Sequence, residues 1–264
     1  MAHRLLAFSL ATGFVSGIAV AQTGNAMLDG TRTSTPTAVQ APVVAPLTVE
    51  QRGDIFMARK MYREAIETFH EGSPKDPVLW NKEGIAYHQL TELGSAKKAY
   101  EQAIKLKPDY VEALNNLGTV YYATRSFRRA ISWYQKALKI APDQTRSASI
   151  YMNLGTAWFA RKKYEKATEA YQTALQLDPL VFEHHSNFGV MLEEHTVEER
   201  AKYHYYVARL YAKSGRSELA LQYLRKALEE GFKDKGKLEK DPDLSSLRNL
   251  PEFKQLLASE PRVL

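Results

Sequence analysis

Between Glu112 and Pro142 apolar side chains return at three- and four-residue steps, twice in succession. Leu114, Leu117, Gly118 and Tyr121 make one stripe, and Phe127, Ala130, Tyr134, Ala137 and Leu138 make the next. With about 3.6 residues per turn, each set falls on one face of a helix. The stretch therefore predicts two amphipathic helices laid back to back, with Pro142 closing the pair.

The same marks recur along the chain. Gly53, Gly84, Gly118, Gly155 and Gly189 follow one another at steps of 31, 34, 37 and 34 residues. Beyond the first four, at a fixed distance, come Ala65, Ala96, Ala130 and Ala167, then Phe69, Tyr100, Tyr134 and Tyr171, and then Pro77, Pro108, Pro142 and Pro179. Two helices that cross closely need small residues at the crossing and large ones filling the space beside it. The pattern supplies both.

Trp80-x3-Gly84-x2-Tyr87, Leu114-x2-Leu117-Gly118-x2-Tyr121 and Tyr151-x2-Leu154-Gly155-x2-Trp158 together resemble the tetratricopeptide repeat signature. The resemblance implies an all-α fold, an α-solenoid of antiparallel helix hairpins forming a tetratricopeptide superhelix. Repeats are expected at about 48–77, 78–108, 111–142 and 148–179. After Gly189 the next small residue of this kind, Ala208, comes only 19 positions later. That shortfall is about one helix with its turn. It predicts a lone helix over 182–195 ahead of a last hairpin at 197–230, with one bent helix across 182–213 as the alternative. Thr196 with Glu199 offers a capping box that would separate the two, and Gly231 a C-cap. The array thus runs over 48–232. Residues 233–264, with Leu238, Leu244, Leu247, Leu250, Phe253, Leu256 and Leu257, are amphipathic but off-register, and predict a small helical C-terminal cap over the last apolar face.

Composition adds an address. Arg4 precedes an apolar stretch from Leu5 to Val20, and Ala19-Val20-Ala21 is a small-x-small motif. This is the pattern of a signal peptide over 1–21, cleaved after Ala21, which predicts a periplasmic or secreted protein and not an integral membrane protein after cleavage. Residues 22–47 are rich in Thr, Ala and Pro, with only Asp29 and Arg32 charged, and are expected to form a flexible linker. Order should begin at the capping box Thr48–Gln51. The chain has no cysteine, which excludes disulfides, thiolate zinc sites and cysteine nucleophiles. The net charge of +6 permits anionic partners without requiring nucleic acid, which would need a basic groove with exposed aromatics and which an exported protein seldom meets, so no nucleic acid is expected.

Chemistry is sparse. There is no phosphate-cradling glycine loop, nucleophile elbow or convergent acid pair, so no enzyme and no cofactor is expected. By the geometry of the resembled family, first helices line a concave groove. The partner-binding candidates there are Asn81, Lys82, Asn115, Asn116, Thr119, Tyr122, Asn153, Thr156, Phe159 and Asn187. Asn116, Asn153 and Asn187 share the position two before glycine. Such a row can hold an extended peptide backbone, or it can bond within the array. On the first reading, Asn116→Ala with Asn153→Ala weakens a partner without unfolding the array. The carboxylate-clamp pattern of the family is poorly matched, because Glu50 and Asp54 stand where a lysine and an asparagine belong.

A second candidate is a basic edge. Arg125, Arg128, Arg129, Arg161, Lys162 and Lys163, with Arg59, Lys60 and Arg216, lie at turns inside hairpins. Stacking would align them into a stripe facing an anionic envelope surface or an acidic protein, or simply leave them solvated near helix C-termini. His184, His185, His195 and His204 sit among acidic residues, but not at the spacing of helical zinc ligands, so no metal site is expected. The functional expectation is a non-enzymatic scaffold in the bacterial cell envelope holding a partner peptide or helix. An accessory subunit binding an anionic glycan, lipid or metal is the alternative.

Overall fold

A computed structural model describes residues 46–141, 144–183 and 196–258, with the backbone alone at 144 and 145. The expected leader, nearly all of the linker and most of the expected lone helix lie outside the described residues. What is described is all helical, with no strand. Four hairpins follow in order: α1 (Val49–Ala58) with α2 (Tyr62–His70), α3 (Pro77–Gln89) with α4 (Leu93–Leu106), α5 (Val111–Ala123) with α6 (Phe127–Leu138), and α7 (Gln144–Ala160) with α8 (Tyr164–Leu177). Then come α9 (Val197–Lys213) with α10 (Ser217–Glu229), a short α11 (Lys235–Lys240), a 3₁₀ segment (Pro242–Leu247) and α12 (Pro251–Ala258). Each helix packs on its hairpin partner, the second helices α2, α4, α6 and α8 pack on the next first helix, and successive first helices α3, α5 and α7 also touch directly.

The glycine spacing is explained by the aromatic ring opposite. A Cβ built on Gly53, Gly84, Gly118 or Gly155 would stand 2.1, 2.6, 2.6 or 2.5 Å from the ring of Phe69, Tyr100, Tyr134 or Tyr171. Only hydrogen leaves room for a ring there. The last hairpin solves the same crossing differently, with Ala208 and Leu224, both buried, at the corresponding positions. A smaller partner on one helix allows a larger residue on the other.

The helix starts follow local rules. Thr48 and Gln51 form a reciprocal capping box, as do Thr196 and Glu199. Thr196 is extended, with φ −60° and ψ 153°, so α9 begins afresh at Val197 and no single helix runs through this point. Residues 181–183 form hydrogen-bonded turns. Phe182 from this segment packs edge-on against Tyr171, Tyr203 and Tyr211. Phe159 adds edge-on contacts to Tyr203 and Tyr206, so the seam between the fourth hairpin and α9 is filled chiefly by aromatic rings.

Every hairpin turn has one residue in the left-handed region. It is Lys60, Thr91, Arg125 and Lys162 in the first four hairpins, with φ of 58° or 59°, and Gly215 in the last, with φ 76°. Each turn closes with the same pair of backbone bonds; at the third, Arg125 N–H donates to the Tyr122 carbonyl and Ser126 N–H to that of Tyr121. Glycine is the strain-free choice at such a position, yet four of the five turns do without it.

The C-terminal segment covers the last hairpin. Leu238, Leu244, Leu247 and Phe253 are buried in one cluster with Tyr205, Ala208 and Leu224. Asp241 fastens it. This carboxylate is 7% exposed, accepts from the Tyr205 hydroxyl and lies 3.0 Å from Arg209 Nε. Arg209 also reaches Asp243 at 2.7 Å, and Arg248 donates to the Asp241 carbonyl at 2.9 Å.

Candidate functional site

The candidate groove residues divide into buried and accessible sets. Asn81, Asn115, Asn116 and Asn153 are 4, 4, 5 and 0% exposed. Asn116 Nδ2 donates to Asn81 Oδ1 at 3.1 Å, and Asn153 Nδ2 donates to Asn115 Oδ1 at 3.0 Å. In both pairs the residue two before glycine in one repeat meets the residue three before glycine in the repeat ahead. Asn116 and Asn153, read either as a grip for peptide backbone or as bonding within the array, are turned into the seam between first helices. Burial without a partner would strand a polar amide, so the amides satisfy one another. The double alanine change expected to spare the fold therefore removes buried hydrogen bonds.

The neighbouring candidates are also engaged. Thr156 is buried and accepts from the Tyr171 hydroxyl at 3.1 Å, while Thr119 accepts from that of Tyr134 at 3.4 Å. Tyr122 and Phe159 are buried, their rings 5.3 Å from Phe127 and 5.3 Å from Tyr164. Thr119 and Lys82 keep partial exposure, and Asn187 lies outside the described residues. Lys82 Nζ stands 3.0 Å from Glu50 and 2.6 Å from Asp54. Burial works to lower the ammonium pKa, and the two carboxylates outweigh it, so its pKa is raised. Arg146 pairs with Glu112 at 3.0 Å in the same first-helix to first-helix sense. Sequence reasoning did not foresee these crossings. Their signal was opposite charge on consecutive first helices.

The basic residues lie at or next to the inner turns of the hairpins. Lys60, Arg125 and Lys162 occupy one and the same turn position, the left-handed one. Arg125, Ser126, Phe127, Arg128, Arg129 and Arg161 line an open hollow of about 410 Å³. The edge is interrupted at the second turn, where Thr91 takes the place of a cation. At the last turn Arg216 is occupied, donating to the Pro179 carbonyl.

Comparison with known sequences now bears on this architecture. The tetratricopeptide repeat profile matches residues 109–179, and related repeat profiles match 84–124 and 201–230. The chain is a tetratricopeptide repeat protein. The ycf37 protein of Pyropia yezoensis is 39% identical over 62 residues, covering 24% of this chain and 35% of that relative. The protein O-mannosyl-transferase TMTC1 of Mus musculus is 34% identical over 84 residues, covering 30% of this chain and 9% of that relative. The chain thus spans about a third of the first and about a tenth of the second. Among solved structures, MamA from Desulfovibrio magneticus RS-1 superposes with a TM-score of 0.46 at 23% identity, covering 69% of this chain and 92% of that one.

Of the four histidines set among acidic residues, His184, His185 and His195 lie outside the described residues, and among the described residues no group of three or more His, Asp or Glu could hold a metal ion. His204 instead lies 2.8 Å from Glu230. Burial lowers its pKa; Glu230 opposes that shift, and Lys226 and Arg200 add to it. His88 on α3 is likewise lowered by burial. Among the described residues no helix is long and apolar enough to cross a membrane.

Proposed function

We propose that this tetratricopeptide protein is a non-enzymatic scaffold of the bacterial cell envelope, exported by its leader and holding a peptide or helix of a partner protein on the surface of its first helices. The observation that carries the reading is the continuity of that surface. The asparagine pairs and the Lys82 and Arg146 ion pairs join successive first helices into one rigid wall. A preorganised wall binds with little loss of conformational entropy, which is what a scaffold requires. With the asparagines committed to the seams, the contacting groups are the partly open ones: Lys82, Ile85, His88, Glu112, Thr119, Ser149 and Met152. The Thr/Ala/Pro-rich segment 22–47 gives reach.

A photocrosslinker placed at Thr119 or Met152 in living cells tests this. A discrete protein adduct in the envelope fraction is expected from those positions, and none from Lys98, an exposed second-helix residue. Equal labelling from all three would overturn the groove reading. Sequencing the mature N-terminus tests export, with Gln22 as the expected first residue.

A further inference from the structure

We infer that the hollow at the third and fourth inner turns is a second binding site, which takes an acidic segment of a protein partner. Four arginines, Arg125, Arg128, Arg129 and Arg161, surround it, and none makes an ion pair among the described residues. This sets them apart from Arg52, Arg63, Arg146, Arg200 and Arg209, each of which holds a carboxylate.

Two of the guanidinium groups are already positioned. Arg129 lies 5.6 Å above the Tyr121 ring and Arg161 5.5 Å above that of Trp158. Stacking limits their freedom before any ligand arrives and leaves their planar donor forks available for carboxylate oxygens. Arg128 and Arg129 occupy the first turn of α6, which has no acidic residue there and no side-chain cap. Cations are unfavourable at that helix end, and an arriving anion would relieve both the field and the unmet N–H groups. Arg125 keeps a strained left-handed backbone, where the last hairpin has Gly215.

The surroundings select the occupant. A bilayer surface usually gains from apolar insertion beside the charge. The exposed large apolar residues among those described are Leu47, Ile55, Leu106, Ile140, Leu180 and Val197, and none of them lies at these turns. Carboxylates spaced along an extended peptide match guanidinium groups spaced over two successive turns, with Lys162 and Lys163 continuing the charge. The site is separate from the first-helix groove and stands or falls independently of it.

The test measures anisotropy of a fluorescein-labelled hexaglutamate peptide with the full mature chain. Binding is expected, weakening as salt rises. Arg128→Glu with Arg161→Glu should lower affinity about tenfold or more, while Lys98→Glu with Arg225→Glu, an equal charge change on exposed residues elsewhere, should leave it within about twofold. Arg128→Gln with Arg161→Gln repeats the loss without charge reversal, and an unchanged thermal melt shows that either pair of changes spares the fold. Equal weakening by the control pair would reduce the effect to net charge and overturn the site. So would binding to phosphatidylglycerol vesicles that is lost in the double variant while the peptide stays bound.

Discussion

Asn153, with none of its surface exposed, donates its side-chain amide to Asn115 Oδ1 at 3.0 Å across the seam between the third and fourth hairpins. The pair is a structural crosslink between repeats. Asn153→Ala leaves a buried carbonyl without its donor and is expected to cost about 1–3 kcal/mol. Asn115→Ala combined with Asn153→Ala should cost less than the two single changes added together, because the orphaned partner is gone. Urea denaturation of the three variants measures this. Strict additivity would mean that the bond contributes nothing specific.

The Gly118–Tyr134 crossing gives a second cycle. An added Cβ at Gly118 meets the buried Tyr134 ring at 2.6 Å, so Gly118→Ala should destabilise by about 1–3 kcal/mol through overpacking. The last hairpin shows a workable alternative, Ala208 with Leu224. Adding Tyr134→Leu to Gly118→Ala should therefore recover part of the loss, with a coupling of about 1 kcal/mol. Melting curves of the single and double variants would show it as a double variant more stable than the sum predicts.

Thr91 is β-branched and left-handed, at φ 59°. Thr91→Gly should raise stability by roughly 0.5–1 kcal/mol, the relief of strain exceeding the entropy that glycine gains in the unfolded chain. Arg125→Gly should also stabilise, yet weaken hexaglutamate binding. A gain in stability with a loss of binding at Arg125 separates a functional cation from a structural one. A loss of stability at Thr91 would argue that its side chain matters more than its backbone.

Asp241 holds the C-terminal cap to the last hairpin. Asp241→Ala removes the buried carboxylate from Arg209 and the acceptor from Tyr205, leaving Asp243 as the remaining partner of Arg209, and should cost about 1–3 kcal/mol. Proteolysis should then remove the segment beyond Gly231 faster than it cuts α1–α8. Uniform cleavage along the chain would show that the cap is not a separable lock.

Two histidines set the pH response. Burial lowers the pKa of His88 and of His204, the latter in spite of Glu230. In the unfolded chain both bind protons below about pH 6.5, while the folded chain resists until lower pH. The unfolded state therefore binds more protons, and stability falls as pH drops from 7.5 to 6.0. His88→Gln with His204→Gln should flatten that slope. Glu83, raised chiefly by burial, acts in the opposite sense nearer its own range, so the comparison is made at pH 6.0 and above. A slope unchanged by the double substitution would place the proton uptake elsewhere.

Much of the fold was legible because its determinants are local and repeated. Apolar periodicity fixed the helix faces, and Thr48–Gln51 and Thr196–Glu199 marked helix starts that the structure shows as capping boxes. The glycine-to-aromatic spacing announced the close crossings, since a fixed offset on two antiparallel helices returns a fixed pair to the same contact. The same offsets put Lys60, Arg125 and Lys162 at one and the same turn position. Tertiary structure decided which polar groups are free. Asn116 and Asn153 look identical in sequence to residues that face a ligand, and only the closeness of consecutive first helices turns them to Asn81 and Asn115. Likewise residue type alone does not separate Arg128, which makes no ion pair among the described residues, from Arg146, which pairs with Glu112. That difference depends on whether a carboxylate from another repeat comes within reach, and reach across a seam is set by the packing of helices, not by the order of residues.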